Sequence, residues 1–562
     1  MKSISKAGIA PTTLAAALLM AFVEVHAQSL APDSGQLLRQ VQPALPTAPS
    51  QGQPSLNVES KSEAQLPASA PFEVNAIRIT GNSSISSESL RSLVAGSEGK
   101  KLTLIDLQSL AGRITALYQE QGYPLARAII PAQTINEGVV EIRVLEAKYG
   151  TVKVANTSQV TDELLAATAA PLQRGRVITE QQLNRSLLLL SDVPGVSVNA
   201  IIKPGADVGT SDLDISASAG PTSFGDLSLD NYGNKYIGRA RAIGSASLLN
   251  PLHHGDILSA TVVTTGSDMN YGRVSYDTLL NGLGTRAGGA YSYVRYKLGG
   301  NIASLDANGT AGVASLWVRQ PLLRSREANV YAQLQYDGKR LRDRVDVVGT
   351  HTDRTLDNVV LSLNGDLRDN FMQGGINSGS IGLTNGRVQF NDAAAKTADA
   401  ASARTNGQFT KWNVNLSRLQ ALSTNNSLYV NFAAQQANKN LDSAEKLAVG
   451  GPYTVRAYDI GAMSADNGYF FSMELRRNLG AFAFGQVQAQ IFADTARVKI
   501  NRDSWSQGDN SATLSGAGIG VNWTGPDLWK ASAYLASRVG KVPSQLGSTA
   551  SAWAWVTVSK SF

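Results

Sequence analysis

The sequence predicts an all-β membrane barrel of sixteen antiparallel strands, preceded by two small α+β units. Three observations carry this reading. From Gly220 onward helical periodicity disappears, and short segments alternate apolar and polar residues with a period of two. The connections between those segments are short on one side and long on the other, the asymmetry of a barrel with tight turns at one rim and loops at the other. Ahead of Gly220, one order of elements, β-α-α-β-β, occurs twice.

The chain begins with Lys2 and Lys6, a mostly apolar region from Ala7 to Val23, and Val25-His26-Ala27 before Gln28. Residues 1–27 therefore read as a secretory signal, since Pro11, Thr12 and Thr13 interrupt the run that an anchor helix would need. No other stretch has the length and apolarity of a transmembrane helix. The 562 residues include no cysteine, which excludes disulfides, thiolate nucleophiles and Cys-ligated metals. A formal charge of +6 without a basic run gives no reason to expect nucleic-acid binding.

Residues 28–45 contain DSGQLLRQVQ (33–42), a short helix capped by Asp33 or Ser34. Its apolar residues, Leu37, Leu38 and Val41, are too few for it to fold alone, so it must dock or fray. The following stretch, 46–71, is rich in Pro, Ser, Gln and Ala and reads as an extended linker. The first unit, 72–147, has a strand at 72–82, a helix at 87–94 and a longer helix at 103–121 capped by Thr103, then strands at 125–130 and 139–147. The second, 148–219, repeats the order at 151–156, 162–168, 180–190 (capped by Thr179), 196–204 and 212–218. A small sheet of this kind leaves an edge, beside a helix, to which an unfolded polypeptide can add as a strand.

The barrel region is 220–562. Its strands fall near 222–233, 238–249, 256–266, 269–280, 285–297, 309–319, 328–340, 356–366, 376–390, 407–420, 425–437, 467–476, 485–495, 512–523, 528–539 and 551–562. In GYFFSMELRR, Tyr469, Phe471, Met473 and Leu475 oppose Phe470, Ser472, Glu474 and Arg476. Sixteen such strands in a water-soluble sandwich would make more than one domain. An even count returns the C-terminus to the side of the α+β units.

The longest loop, 438–466, is the sixth on the outer side. It carries Val455-Arg456-Ala457-Tyr458-Asp459 after a Gly-Gly-Pro bend. In the thirteenth strand, Gln486, Gln488, Gln490, Phe492 and Asp494 form one face and Val487, Ala489, Ile491 and Ala493 the other. Lipid penalises charge, so the first face turns to the lumen. There Asp494 can meet Arg456 from an infolded loop, and a guanidinium and a carboxylate can pair bidentately.

Val455-Arg456-Ala457-Tyr458 resembles the VRG(Y/F) motif in the sixth loop of the outer-membrane assembly and translocation superfamily, and Phe492-Ala493-Asp494 matches the F-x-D of a neighbouring strand. The two repeated units resemble tandem POTRA (polypeptide-transport-associated) domains. With the N-terminal helix and the linker, the chain is similar to a TpsB transporter of two-partner secretion, of the FhaC/ShlB/HecB type. The resemblance implies a passive outer-membrane conduit. It would recognise one large unfolded exoprotein of TpsA type in the periplasm and pass it to the surface, driven by folding of the cargo outside. It further implies that 28–45 is a plug that must leave, and that barrel-assembly machinery inserts the protein. Where the motif has Gly this chain has Ala457. If that position requires φ > 0, alanine costs on the order of 1 kcal/mol and the loop tip changes shape.

Other chemistry finds little support. His253 and His254 share a turn, His351 sits in a loop, and no metal-binding spacing, serine-nucleophile elbow or phosphate loop is present. No cofactor, metal or catalytic residue is expected. A barrel-assembly factor of the same superfamily is the alternative, although such factors carry more POTRA units. A diffusion porin would not need residues 72–219, and an outer-membrane enzyme would need a catalytic set.

Overall fold

The computed structural model describes residues 32–41, 54–59, 69–482, 484–547 and 549–562. The expected signal at 1–27 and most of the linker lie outside these residues.

Helix α1 (Ser34–Val41) begins where Asp33 accepts the amide of Gln36 at 2.9 Å. Eight residues do not sustain a helix in water. This one is held by docking, with Leu37, Leu38 and Val41 buried inside the barrel. The linker departs from a purely extended spacer. Its segment β1 (Ser55–Val58) adds in parallel to the edge of the second α+β sheet, Ser55 opposite Asn199 and Val58 opposite Ile202. An open edge with unpaired N–H and C=O groups recruits an extended chain held nearby.

The first unit comprises β2 (Phe72–Val74), β3 (Ala76–Thr80), α2 (Ser87–Val94), β4 (Lys100–Leu102), α3 (Leu104–Glu120), β5 (Arg127–Ile129) and β6 (Val139–Leu145). Thr103 and Asp106 form a capping box at the start of α3. The sheet order is β3-β6-β5, and β2 pairs separately with β4, a strand too short and too charged to read from sequence. Ile77, Leu90, Leu107, Ile114, Val140 and Ile142 fill the core.

The second unit comprises β7 (Lys148–Asn156), α4 (Asp162–Ala169), α5 (Glu180–Ser191), β8 (Val196–Pro204) and β9 (Thr210–Ala219), with sheet order β1-β8-β9-β7. It rests against the turns at one rim of the barrel. Arg324 forms a bidentate pair with Asp192, both bonds at 2.7 Å, and Arg185 donates to the carbonyls of Pro321 and Leu322. Gly282 lies so close that a Cβ would come within 2.3 Å of the Ala167 carbonyl oxygen.

The barrel opens with β10 (Ser223–Asp230), β11 (Arg241–Leu249), β12 (Ile257–Thr264), β13 (Met269–Leu279) and β14 (Arg286–Lys297). The longest strands follow: β15 (Ala307–Arg324), β16 (Ala328–Val345), β17 (Thr350–Asp369) and β18 (Gly375–Phe390). Helix α6 (Ala393–Ala400) sits in the next loop, before β19 (Gly407–Ala421) and β20 (Asn426–Ala437). Loop six contains a small pair, β21 (Leu447–Val449) and β22 (Met463–Ala465). The wall ends with β23 (Asn467–Phe482), β24 (Gly485–Lys499), β25 (Ser511–Thr524), β26 (Trp529–Arg538) and β27 (Ala552–Ser561), which pairs back onto β10 to close sixteen antiparallel strands.

The expected strands all occur, but the expected loop at 341–355 is largely a projecting hairpin. β16 and β17 stay paired as far as Val345 and Thr350, because charged side chains such as Arg344 and Asp353 pair across the two strands. Alternation holds: in β17, Leu361, Leu363 and Leu367 face out while Arg354, Leu356 and Asn358 are buried inside. No helix among the described residues is long and apolar enough to cross a membrane, and the crossing is made by strands.

Candidate functional site

The site is built from loop six and the wall it folds against. At Gly450 and Gly451 the backbone takes φ of +105° and +102°, which glycine adopts without penalty. A Cβ on Gly450 would sit 2.4 Å from the Asp459 carbonyl oxygen, so the bend closes only on glycine. It turns the tip inward, burying Val455, Ala457 and Tyr458 against Phe492, Leu514 and Ala536.

Between those apolar neighbours lies Arg456, only 4% exposed. Its Nε and Nη2 donate to the two oxygens of Asp494 at 2.9 and 2.7 Å, and its backbone amide donates to the same carboxylate at 3.1 Å. Nη1 donates to Glu474 at 2.7 Å and Nη2 also to Ser472 at 3.1 Å. The guanidinium carbon stands 3.4 Å from the centre of the Phe492 ring, a cation–π contact. Glu474 in turn holds Arg476, so two cations and two anions balance in one buried patch. A buried guanidinium needs this many acceptors, since each unpaired donor would carry its full desolvation cost.

The same tip touches β27 and the loop that follows β10, the two sides of the closing seam. Trp555 of β27 is wholly buried and donates its indole N–H to the Arg456 carbonyl at 2.7 Å. Tyr232, just past β10, packs edge-on against Trp555 and Tyr453. Asp459 accepts both terminal nitrogens of Arg239, which lies over the Trp553 ring.

A second buried cation, Arg354 of β17, joins loop six to helix α1. It donates to Asp442 and Asp343 at 2.6 Å each, to Asp33 at 3.2 Å and to Ser443 at 3.1 Å. Ser443 donates to Asp33, while the backbone and hydroxyl of Ser34 donate to Asp343, each at 2.8 Å. Helix and loop approach closely: a Cβ on Gly35 would fall 2.6 Å from the Ala444 amide nitrogen. Leu37, Leu38 and Val41 pack against Met269, Tyr296, Leu341 and Phe409. At about 1.5–3 kcal/mol per buried aliphatic side chain, these three add an apolar hold to the polar one.

Known proteins are similar to this chain in sequence and fold. The family model described as haemolysin secretion/activation protein ShlB/FhaC/HecB matches residues 209–523, and the ShlB-type POTRA domain model matches residues 72–147. The chain belongs to the ShlB/FhaC/HecB family. Among curated relatives, the heme/hemopexin transporter protein HuxB of Haemophilus influenzae is 26% identical over 504 residues, covering 88% of this chain and 89% of HuxB. The outer membrane transporter CdiB of Escherichia coli is 24% identical over 469 residues, covering 81% of this chain and 76% of that protein. In fold, the chain is similar to the solved structure of CdiB from Escherichia coli, with a TM-score of 0.70 at 20% identity over 99% of this chain and all of that one. The protein is thus an outer-membrane translocator of an exoprotein, with POTRA structure in the periplasm.

In this ShlB/FhaC/HecB member, Arg456, Asp494 and Phe492 come together at one point, whereas Leu37, Leu38 and Val41 belong to a separate buried cluster. Ala457 does not take positive φ. The loop tip therefore carries no strain at the position where the motif has glycine. Its methyl faces Gly516 of β25, where an added Cβ would lie 2.4 Å away. A small residue on the wall accommodates the one on the loop. Sequence reasoning did not find Trp555, Arg239 or Arg354 as site residues. Arg354 falls ahead of the strand expected near 356–366, so nothing in the sequence marks it as facing the lumen.

Proposed function

We propose that this transporter passes one large unfolded exoprotein of TpsA type, and that residues 72–147 and 148–219 act as POTRA domains that receive its N-terminal region. The linker strand β1 already covers the β8 edge of the second sheet, while the β5 edge of the first, beside exposed Ile129, is an outer strand to which the exported chain adds. Residues 28–45 act as the plug. Val455, Arg456, Ala457, Tyr458 and Asp459, with Phe492 and Asp494, form the lock that holds loop six in the lumen. The exported chain passes after the plug leaves, without a catalytic step or cofactor, and barrel-assembly machinery inserts the transporter in the outer membrane.

The observation that carries this reading is the shared use of Arg354. One guanidinium holds both the helix, through Asp33, and the loop, through Asp442 and Ser443, so the two obstructions in the lumen are fastened together. The test is deletion of the gene followed by comparison of proteins in the medium. Loss of one large exoprotein is expected. An unchanged medium would defeat the proposal, and broad loss of other barrels from the membrane would point to an assembly factor. Since HuxB bears the name of a heme/hemopexin transporter, an adjacent long reading frame encoding an exoprotein of that class is the first cargo to examine.

A further inference from the structure

We propose that the outer wall of the barrel carries a site for one zwitterionic glycerophospholipid, centred on Gly379, that orders the lipid of the periplasmic leaflet against strands β16 to β20. The wall there is not a uniform apolar surface. In register, Val330, Gly365, Gly379, Leu416 and Phe432 form one row across five strands. All face lipid, on the same parity as the exposed Leu361, Leu363 and Leu367. Two glycines side by side in such a row remove two side chains and leave a dent of about 600 Å³. That volume is typical of a small-molecule cleft, about 300–1,000 Å³. Its walls are the apolar parts of Val330, Leu367, Leu416 and Phe432, surfaces that fit an acyl chain.

The next row toward the turns is Ala328, Leu367, Asn377, Arg418 and Val430. Arg418 therefore also faces lipid. It donates to Asp369 at 2.7 and 3.0 Å, to Asn377 at 2.6 Å and, through Nε at 3.1 Å and Nη2, to Gln420, and about 30% of both charged side chains remains exposed. A charge pair on the lipid face is costly at the bilayer centre and cheap at headgroup depth. The turn that follows Asp369 exposes Phe371 and Met372, apolar residues suited to that boundary, and the Arg418 guanidinium lies 6.0 Å from the Phe371 ring centre. A cation and an anion side by side match a headgroup that itself bears both charges. The phosphodiester lies over the exposed part of Arg418 and the ammonium over that of Asp369. Charge draws them there, because the guanidinium's donors are already taken by Asp369, Asn377 and Gln420. One chain lies in the dent above. A purely anionic headgroup would meet the Asp369 carboxylate.

The two glycines differ in a way that makes the idea testable. A Cβ on Gly365 would collide with the Asn329 carbonyl oxygen at 2.6 Å, so the sheet itself demands glycine there. A Cβ on Gly379 meets nothing nearer than the Leu416 Cδ2 at 3.0 Å, the tip of a movable side chain. The fold does not require glycine at 379, and a side chain there fills the dent.

The full chain, extracted in mild detergent, is titrated with phosphatidylethanolamine or phosphatidylglycerol of matched chains and examined by native mass spectrometry. Wild type is expected to hold one phosphatidylethanolamine, and Gly379→Leu to weaken it roughly tenfold, the loss of about 1.4 kcal/mol. Arg418→Gln with Asp369→Asn, which keeps the shape, is expected to abolish the preference over phosphatidylglycerol. Equal retention by wild type and Gly379→Leu, or equal binding of both lipids by wild type, would overturn the proposal. Heat-modifiable migration reports whether each variant is folded. If Gly379→Leu is not, the shape-keeping double variant decides alone, and an unchanged lipid preference in it would overturn the site.

Discussion

Arg456 illustrates how much one side chain can require of its surroundings. Three backbone and side-chain donors go to Asp494, one to Glu474, one to Ser472, and the ring of Phe492 covers its face. Truncating one partner of a buried pair typically costs about 3–5 kcal/mol, mostly through the charge left behind. That loss falls on loop six, while the strand ladder is untouched. Arg456→Ala and Asp494→Ala are accordingly expected to insert as heat-modifiable barrels and to lose export, measured as exoprotein in the medium. Normal export from both would show that the pairing has no role. A different residue-scale effect belongs to the first α+β unit. Burial raises the pKa of Glu146, but the hydroxyl and amide of Ser83, the amide of Ser84 and the Tyr118 hydroxyl outweigh it and hold the carboxyl at about 2, below its ordinary 4.5. A depressed pKa stabilises the folded form above pH 4.5, and this stabilisation is lost as pH falls from 4.5 through 2. Protection factors of amides in 72–147 of the whole protein, taken relative to intrinsic exchange at each pH, should therefore fall over that window, and Glu146→Gln should flatten the response.

At the scale of elements, helix α1 is legible as a helix but not as a tenant of the lumen. Its eight residues announce a cap and three apolar positions, and nothing local says what they pack on. The answer lies in Asp343 and Arg354, more than 300 residues away. Asp33→Ala removes the bond to Arg354, the bond from Ser443 and the cap on Gln36, the last worth about 0.5–2 kcal/mol. The variant is expected to raise the time-averaged conductance of single barrels in planar bilayers. An unchanged trace would show that Asp33 does not hold the helix. Loop six shows the same division. The Gly-Gly-Pro bend and Arg456 could be read from sequence, while the indole of Trp555, 99 residues further along the chain, could not.

At the scale of the molecule, the barrel is uneven. β10 meets β27 through the register Asp226–Asp230 against Thr557–Ser561, whereas β16 and β17 pair continuously from Ala328 to Val345. The loop tip adds Trp555, Tyr232 and Arg239 across that short seam. Amides of β10 and β27 are expected to exchange ahead of those in β16 and β17, and Trp555→Ala to widen the gap. Uniform exchange around the barrel would show that the short register is not a weak point.

The sequence by itself determined the strand count, the inward and outward faces, the β-α-α-β-β order of the second α+β unit and the pairing of Arg456 with Asp494. These depend on short-range periodicity and on the cost of placing charge in lipid, both of which act residue by residue. In the first unit the expected strand at 72–82 is two strands, and β4 lies between the helices. Tertiary structure alone decided that the linker would lend a strand to a sheet edge, that Arg354 would join helix to loop, and that Gly516 would make room for Ala457. Those contacts unite segments with no common period, so they exist only once a closed wall brings distant residues within hydrogen-bonding reach.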